Sequence, residues 1–374
     1  MSRHSPVRPR DRRGPPNQGR LALQTTPAAE IVVGIDTHKH THTAVALNAL
    51  GARLGAMTVP VSRDGYRRIE TWARAFGPVR AFGIEGTGSY GAGLSRALRE
   101  AGHRVLEVNR PDRSARRRHG KDDTLDAEAA ARAVLGGQAT AEPKSGTSSV
   151  EMIRHLKVAR DAAVKAKTQA MLTLKAIIVS APAELREQLE GIRGKLTLVR
   201  HLAALRPGPM VSTAASAKAA LKAIARRWRV LREEIEGHDR ELDRLVSTTA
   251  PDLTAARGVA TATAAEMLLV GDNPERVRSE GALAKLCGAC PIPASSGRTS
   301  RHRLNRGGNR QANAALHRVV VTRMRLHQPT IDYVGRRTRE GKTKAEIMRC
   351  LKRYVAREIF GLLRKPNQAA SKAS

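Results

Sequence analysis

The sequence predicts an α/β protein: a mixed β-sheet with flanking helices, then a helical coiled-coil segment, then a mostly α-helical C-terminal domain. Three observations carry that prediction. Residues 31–61 hold three short strand-like runs separated by turn residues. Helical and strand patterns then alternate through residue 108. From residue 149 onward, apolar residues recur at three- and four-residue spacing between charged flanks.

The elements follow in order. Residues 1–28 are rich in Arg, Pro and Ser without periodicity, and read as a disordered basic arm. The run Ile31-Val32-Val33-Gly34-Ile35-Asp36-Thr37 is β-branched and ends in a carboxylate, so Asp36 is expected where a core strand reaches the surface. Thr43 to Leu47 reads as a second strand, Asn48 to Gly51 as a turn, and Leu54 to Val61 as a third strand. Arg63-Asp64-Gly65 opens a helix through Trp72 and Phe76. Val79 to Glu85 is a fourth strand that also ends in a carboxylate. Gly91 to Ala101 reads as a helix and His103 to Val108 as a fifth strand. Three meandering strands followed by alternating helices and strands is the order of ribonuclease H-like folds.

A basic stretch, Arg110 to Lys121, leads into Asp122-Asp123-Thr124-Leu125-Asp126 and an Ala-rich helix. Asp123 and Asp126 lie three apart and share one face of its first turn. Residues 149–180 are expected to be helical, Ala183 to Leu205 is a further helix, and Ala214 to Val246 is a long charged one. Their apolar stripes suit either an intramolecular hairpin or a dimer. A last domain begins near Pro251, where Arg257-Gly258-Val259-Ala260 resembles a degenerate helix-hairpin-helix turn. A short helix at Leu283 to Cys287 precedes the loop Gly288 to Arg298. Helices Ala312 to Leu326 and Lys342 to Leu363 close the fold. The expected domains are therefore 1–28 (arm), 29–145 (sheet domain), 146–250 (coiled-coil or dimerisation segment), 251–364 (C-terminal domain) and 365–374 (tail).

Lys and Arg number 67 against 34 Asp and Glu, a formal net charge of +33. That balance points to a polyanionic partner, DNA or RNA. Aromatic residues make up 2% of the chain, so phosphate contacts by Arg and Lys must outweigh base stacking. Three Cys and no apolar leader fit a reducing cytoplasm. No run of about 18 apolar residues predicts a membrane span.

Four carboxylates carry the chemistry: Asp36, Glu85, Asp123 and Asp126, at two strand ends and one helix start. Hard oxygen ligands in that number suit Mg²⁺ or Mn²⁺ and phosphodiester transfer. His38, His40 and His42 alternate, but no Cys stands near to complete a zinc site, and they read as solvated or phosphate-facing. Cys287 and Cys290 form one C-x-x-C without a second pair and read as small buried residues.

Val33 to Lys39, Ile84 to Tyr90 and Lys121 to Ala127 resemble the three acidic motifs of the IS110 family transposases. Pro291 to Gly297, followed by Arg306-Gly307 and a helix, resembles that family's C-terminal motif. The resemblance spans roughly residues 30–365. It implies a RuvC-like domain, a coiled-coil segment and a C-terminal transposase domain. It implies a DNA recombinase guided by a structured non-coding bridge RNA that pairs with donor and target DNA. Asp36, Glu85, Asp123 and Asp126 would be the metal-binding tetrad, and Ser296 the nucleophile that forms a phosphoserine link to DNA. The two halves of the active site would meet across protomers in a tetramer built from two dimers. Departures are the basic arm, Ile292 where Arg is usual, Ala260 in the hairpin turn, and extra length around 180–215. None removes a catalytic position. From the residues alone, Ser295-Ser296-Gly297 is an ordinary turn.

Three other readings compete. A site-specific DNA invertase of the Piv type shares the chemistry, and flanking non-coding DNA able to fold into stem-loops would discriminate against it. A catalytically inactive nucleic-acid-binding relic is opposed by the presence of all five candidate residues. A Holliday-junction nuclease would leave Ser296 and the C-terminal domain unexplained.

Overall fold

The computed structural model describes residues 30–108, 122–272, 277–295, 297 and 302–364. Two compact units share them. The first takes the described residues up to Glu85, Ala101–Arg104, Val108 and those of 122–139. The second takes Gly86–Glu100, Val105–Glu107 and the described residues from Thr140 onward.

The sheet runs β3-β2-β1-β4-β5. Its strands are β1 (Ile31–Thr37), β2 (Thr41–Leu47), β3 (Arg53–Pro60), β4 (Val79–Glu85) and β5 (Val105–Val108). β1 pairs antiparallel with β2 and parallel with β4, so the sheet is mixed, as the sequence predicts. β1 is central, and its first six residues are buried, which is why it reads as a continuous β-branched run. β3 lies at the edge with most of its residues exposed, and Arg53 and Pro60 at its ends blunt that edge.

Helix α1 (Arg63–Arg74) starts at Ser62, whose side chain accepts from the Gly65 amide, and buries Ile69 and Ala73 four residues apart. Helix α2 (Ala92–Glu100) precedes β5. Helix α3 (Asp123–Leu135) starts at Asp122, which caps the Thr124 amide at 3.1 Å.

In the second unit, α4 (Ser149–Ser180) and α7 (Thr213–Thr249) form an antiparallel pair. Arg160 donates to Asp239 at 2.6 Å, Lys167 sits over the Trp228 ring, and Leu174 clusters with Leu221. The apolar stripe of these helices is thus packed within the chain. Where the sequence suggests one helix over 183–205, there are two, α5 (Ala183–Glu190) and α6 (Lys195–Ala204). Gly194, at φ 88°, makes the break, a conformation that an L side chain rarely adopts.

The C-terminal helices are α8 (Pro251–Ala255), α9 (Thr261–Gly271), α10 (Glu280–Leu286), α11 (Arg310–Leu326), α12 (Gln328–Arg339) and α13 (Lys344–Arg364). A two-residue hairpin, β6 (Ile292–Pro293) with β7 (His302–Arg303), projects between α10 and α11 in the chain. Leu253, Met267, Leu283, Leu316, Val319, Ile347 and Val355 share one core. Buried Arg323 clamps it: it pairs with Glu358 through two bonds of 2.6 and 2.8 Å and donates to the Arg257 carbonyl at 2.7 Å. The Arg257–Ala260 turn therefore spends a backbone carbonyl on internal packing. Helix α12, absent from the sequence reading, starts with Pro329 in its first turn and carries three Arg in its last turn.

Candidate metal centre

Asp36 is the second-last residue of the central strand. In the parallel register Ile35 stands beside Ile84, so Asp36 and Glu85 end neighbouring strands at one level. Thr37 ties these ends together, its hydroxyl donating to the Glu85 carbonyl at 2.7 Å.

Small residues bring α3 onto this strand pair. A Cβ on Gly34 would lie 2.0 Å from the Ala127 carbonyl oxygen and 2.2 Å from the Ala131 amide nitrogen. A Cβ on Gly83 would lie 3.0 Å from the Ala130 carbonyl oxygen. Ala127, Ala130 and Ala131 form the opposing face and are buried. Only glycine on the strands lets a helix backbone sit this close. The first turn of α3 is thereby delivered to the end of β1, with Asp123 and Asp126 on it.

Asp36 is buried, 7% exposed. Burial pushes its carboxyl above the usual carboxylate range. Asp126 and Asp123 push the same way by charge repulsion, while His38 and the Thr37 amide act against them. Three carboxylates thus lie within electrostatic reach of one another in a partly desolvated place. His38 lies between two of them: its Nδ1 is 3.5 Å from Asp36 Oδ2 and 3.6 Å from Asp123 Oδ2. One ligand atom from each of Asp36, His38 and Asp123 falls within 4.8 Å of the other two. A carboxylate raised chiefly by burial, with two further carboxylates in reach, gains from a cation, and oxygen donors with one imidazole suit Mg²⁺ or Mn²⁺. The residues present fit a divalent ion.

The structure therefore brings Asp36, Asp123 and Asp126 together and puts Glu85 on the adjoining strand end. The histidines differ from the sequence expectation. His38 faces carboxylates. His42 is fully buried, stacked on Tyr66 at 5.8 Å between ring centroids. His40 alone of the three is well exposed. The one available signal for His38 was its place two residues past Asp36.

Ser296 lies outside the described residues. Its neighbours Ser295 and Gly297 are exposed, and they stand in the connection between β6 and β7. Cys287 is buried as expected, which pushes its thiol up to about 12, while Cys290 is partly exposed. Among the described residues, no helix is long and apolar enough to cross a membrane.

Residues 33–181 match the family model of IS110-type DEDD transposases, described as a transposase. Residues 250–334 match the model described as transposase IS116/IS110/IS902 family. The two matches together span more than half of the chain. No curated protein matches it. The chain belongs to the IS110 family of transposases, and DNA is its substrate.

Proposed function

We propose that this IS110-family transposase exchanges DNA strands by a serine-dependent reaction, guided by a structured RNA and assisted by a divalent cation. The observation that carries the cation is the cluster of Asp36, His38 and Asp123, with Asp126 within electrostatic reach of Asp36, and with Asp36 buried and its carboxyl pushed up. The serine and the guide RNA rest on the motif resemblance around Ser296 and on family membership. The charge of +33 supplies the means to hold two polyanions.

Asp36, Glu85, Asp123 and Asp126 would hold the ion, with His38 set against two of them. When bound, the ion supplies Lewis-acid stabilisation of phosphoryl oxygens. Asp36 gives that site a rigid wall, because its strand is buried on both sides. Ser296 Oγ attacks a backbone phosphorus, loses its proton, and displaces one DNA oxygen, which leaves as a hydroxyl. A hydroxyl of the other strand then attacks the same phosphorus and frees Ser296. One phosphoester bond forms for each one broken, so bond energy is conserved.

The test uses Asp36→Asn and Asp126→Asn. Both variants are expected to keep the fold and the copurifying RNA while losing recombination, and EDTA should silence the unmodified protein. Full recombination in EDTA, or in either variant, would overturn the metal assignment. RNA that fails to copurify with active protein would overturn the guide.

A further inference from the structure

The C-terminal helices enclose a basic cavity of about 840 Å³, in the size range of built ligand sites. Its walls are the Gly288–Pro291 turn, His302 to Asn305 on and after β7, Asn313 of α11, and the inner face of α13. Among the described residues, seven Arg and Lys side chains line it against one carboxylate, Glu346.

Several of these cations are already employed. Arg353 and Arg357 bind Glu280 at 2.8 and 2.7 Å, and Arg337 binds Glu340. Arg303, Lys342, Arg349 and Lys352 form no ion pair with a carboxylate among the described residues; Lys342 and Arg349 act on Glu346 only through their charge. Arg353 also keeps one buried terminal nitrogen, Nη1, without a hydrogen-bond partner.

Lys352 is the most built of the set. Its ammonium donates to Asn313 Oδ1 at 2.8 Å. The Asn313 amide is itself fixed, donating to the Cys287 and Gly288 carbonyls at 2.8 and 3.2 Å. Its oxygen is therefore the atom left to accept from Lys352. The turn that it holds is locked by close backbone approach. A Cβ on Gly288 would meet the Gly307 carbonyl at 2.6 Å, and a Cβ on Gly308 would meet the Gly288 amide at 2.6 Å. A rigid, half-buried ammonium thus faces the cavity, and among the described residues its hydrogen-bond partner is the neutral Asn313.

We propose that this cavity is a phosphodiester-binding site, with Lys352, Arg349 and Arg303 among its cations free of ion pairs, and that it seats the backbone of the DNA strand being exchanged. Burial alone holds the Lys352 ammonium below its usual range, so an incoming anion relieves a desolvated charge. The choice of DNA rests on the proposed function. The cavity takes in Pro291 and Cys290 before β6 and His302 and Arg303 of β7, the two stems of the connection that carries Ser296.

Two cysteines report on the cavity. Cys290 and Cys350 line it and are partly exposed, while buried Cys287 serves as the internal reference. The full-length protein is treated with N-ethylmaleimide, alone, with a generic duplex DNA, or with an RNA hairpin of equal charge. At about ten times its Kd, the DNA should slow modification of Cys290 and Cys350 by roughly ten-fold, the mass-action limit. A second arm measures DNA affinity against salt. Arg303→Gln/Arg349→Gln/Lys352→Met should lower the salt slope by about 2–3. Arg226→Gln/Arg227→Gln/Arg229→Gln, which removes the same charge from exposed positions on α7, should lower it less. Arg349→Gln alone, an exposed change, gives a folded variant if Lys352→Met does not. No protection by DNA, protection by RNA alone, or equal slopes for the two triple variants would overturn the proposal. The arms are repeated in Ser296→Ala. Protection that persists while no covalent adduct forms in the parent protein would sink the serine reading and leave the cavity assignment standing.

Discussion

Gly34→Ala tests how the fold builds the candidate metal centre. The added Cβ would lie 2.0 Å from the Ala127 oxygen and 2.2 Å from the Ala131 nitrogen, both backbone atoms of α3. No side-chain rotation relieves such a contact. Carbon atoms pack at about 3.5–4.0 Å, so α3 must withdraw by roughly 1 Å or more. Overpacking of this kind costs about 1–3 kcal/mol, and a backbone obstacle on the far side puts it at the upper end. The same withdrawal carries Asp123 and Asp126 away from Asp36, so affinity for Mn²⁺ should fall together with stability. The assay is urea unfolding followed by hydrogen exchange in peptides from residues 31–47 and 122–139, with Mn²⁺ binding measured by calorimetry. Gly361→Ala, on an exposed face of α13 with open space at the Cβ, is the control and should be neutral or slightly stabilising. A Gly34→Ala protein with parental stability and parental Mn²⁺ affinity would refute the idea that close helix packing assembles the site.

Three further outcomes are expected. Lys157→Met should cost about 3–5 kcal/mol, because Glu266, nearly fully buried and 2.9 Å from the ammonium, is left as a lone buried charge. Glu266→Leu should cost less, since Asp161 still holds Lys157 at 2.6 Å; the order of the two urea midpoints checks this. His42 is neutral and buried, and its pKa is held below the usual histidine value chiefly by burial. Its unfolded form binds the extra proton first, so it contributes stability present above about pH 6.5 and lost as pH falls through the folded value. His42→Phe should flatten the pH 5–7 stability profile, and an unchanged slope would count against it. DNA affinity should drop on the order of 10³–10⁵ between 50 and 200 mM salt if about 6–10 phosphates are neutralised, and a flat titration would contradict phosphate-led binding.

Much of the fold was legible because its signals are local. A β-branched run ending at Asp36, a second ending at Glu85 and an Ala-rich helix opening at Asp123 each announce themselves within a few residues. The mixed sheet follows from their order. The grouping of Asp123 and Asp126 on one helix face follows from their spacing of three. What stayed hidden depends on partners distant in the chain. His38 gains its place from Asp123, 85 positions later, brought in by the Gly34 and Ala127 contact. His42 looks polar among its neighbours, yet the pairing of β2 and the ring of Tyr66 bury it. Helix α12 has no clean apolar period, and its one buried residue is Thr330, so its pattern gave nothing to read. The split between α5 and α6 turns on the backbone angle of Gly194, which composition does not encode. Lys352 reads as one more surface cation until Asn313, 39 positions earlier, is seen to hold it.

The central claim is that Ser296 carries the DNA between breakage and rejoining. Its most direct test is peptide mass mapping of the covalent adduct trapped on a nicked suicide DNA. The expected result is DNA on Ser296, with the adduct and recombination both lost in Ser296→Ala and both kept in Ser295→Ala. An adduct on Ser295, or one that survives Ser296→Ala, would contradict the account and assign the nucleophile to another residue.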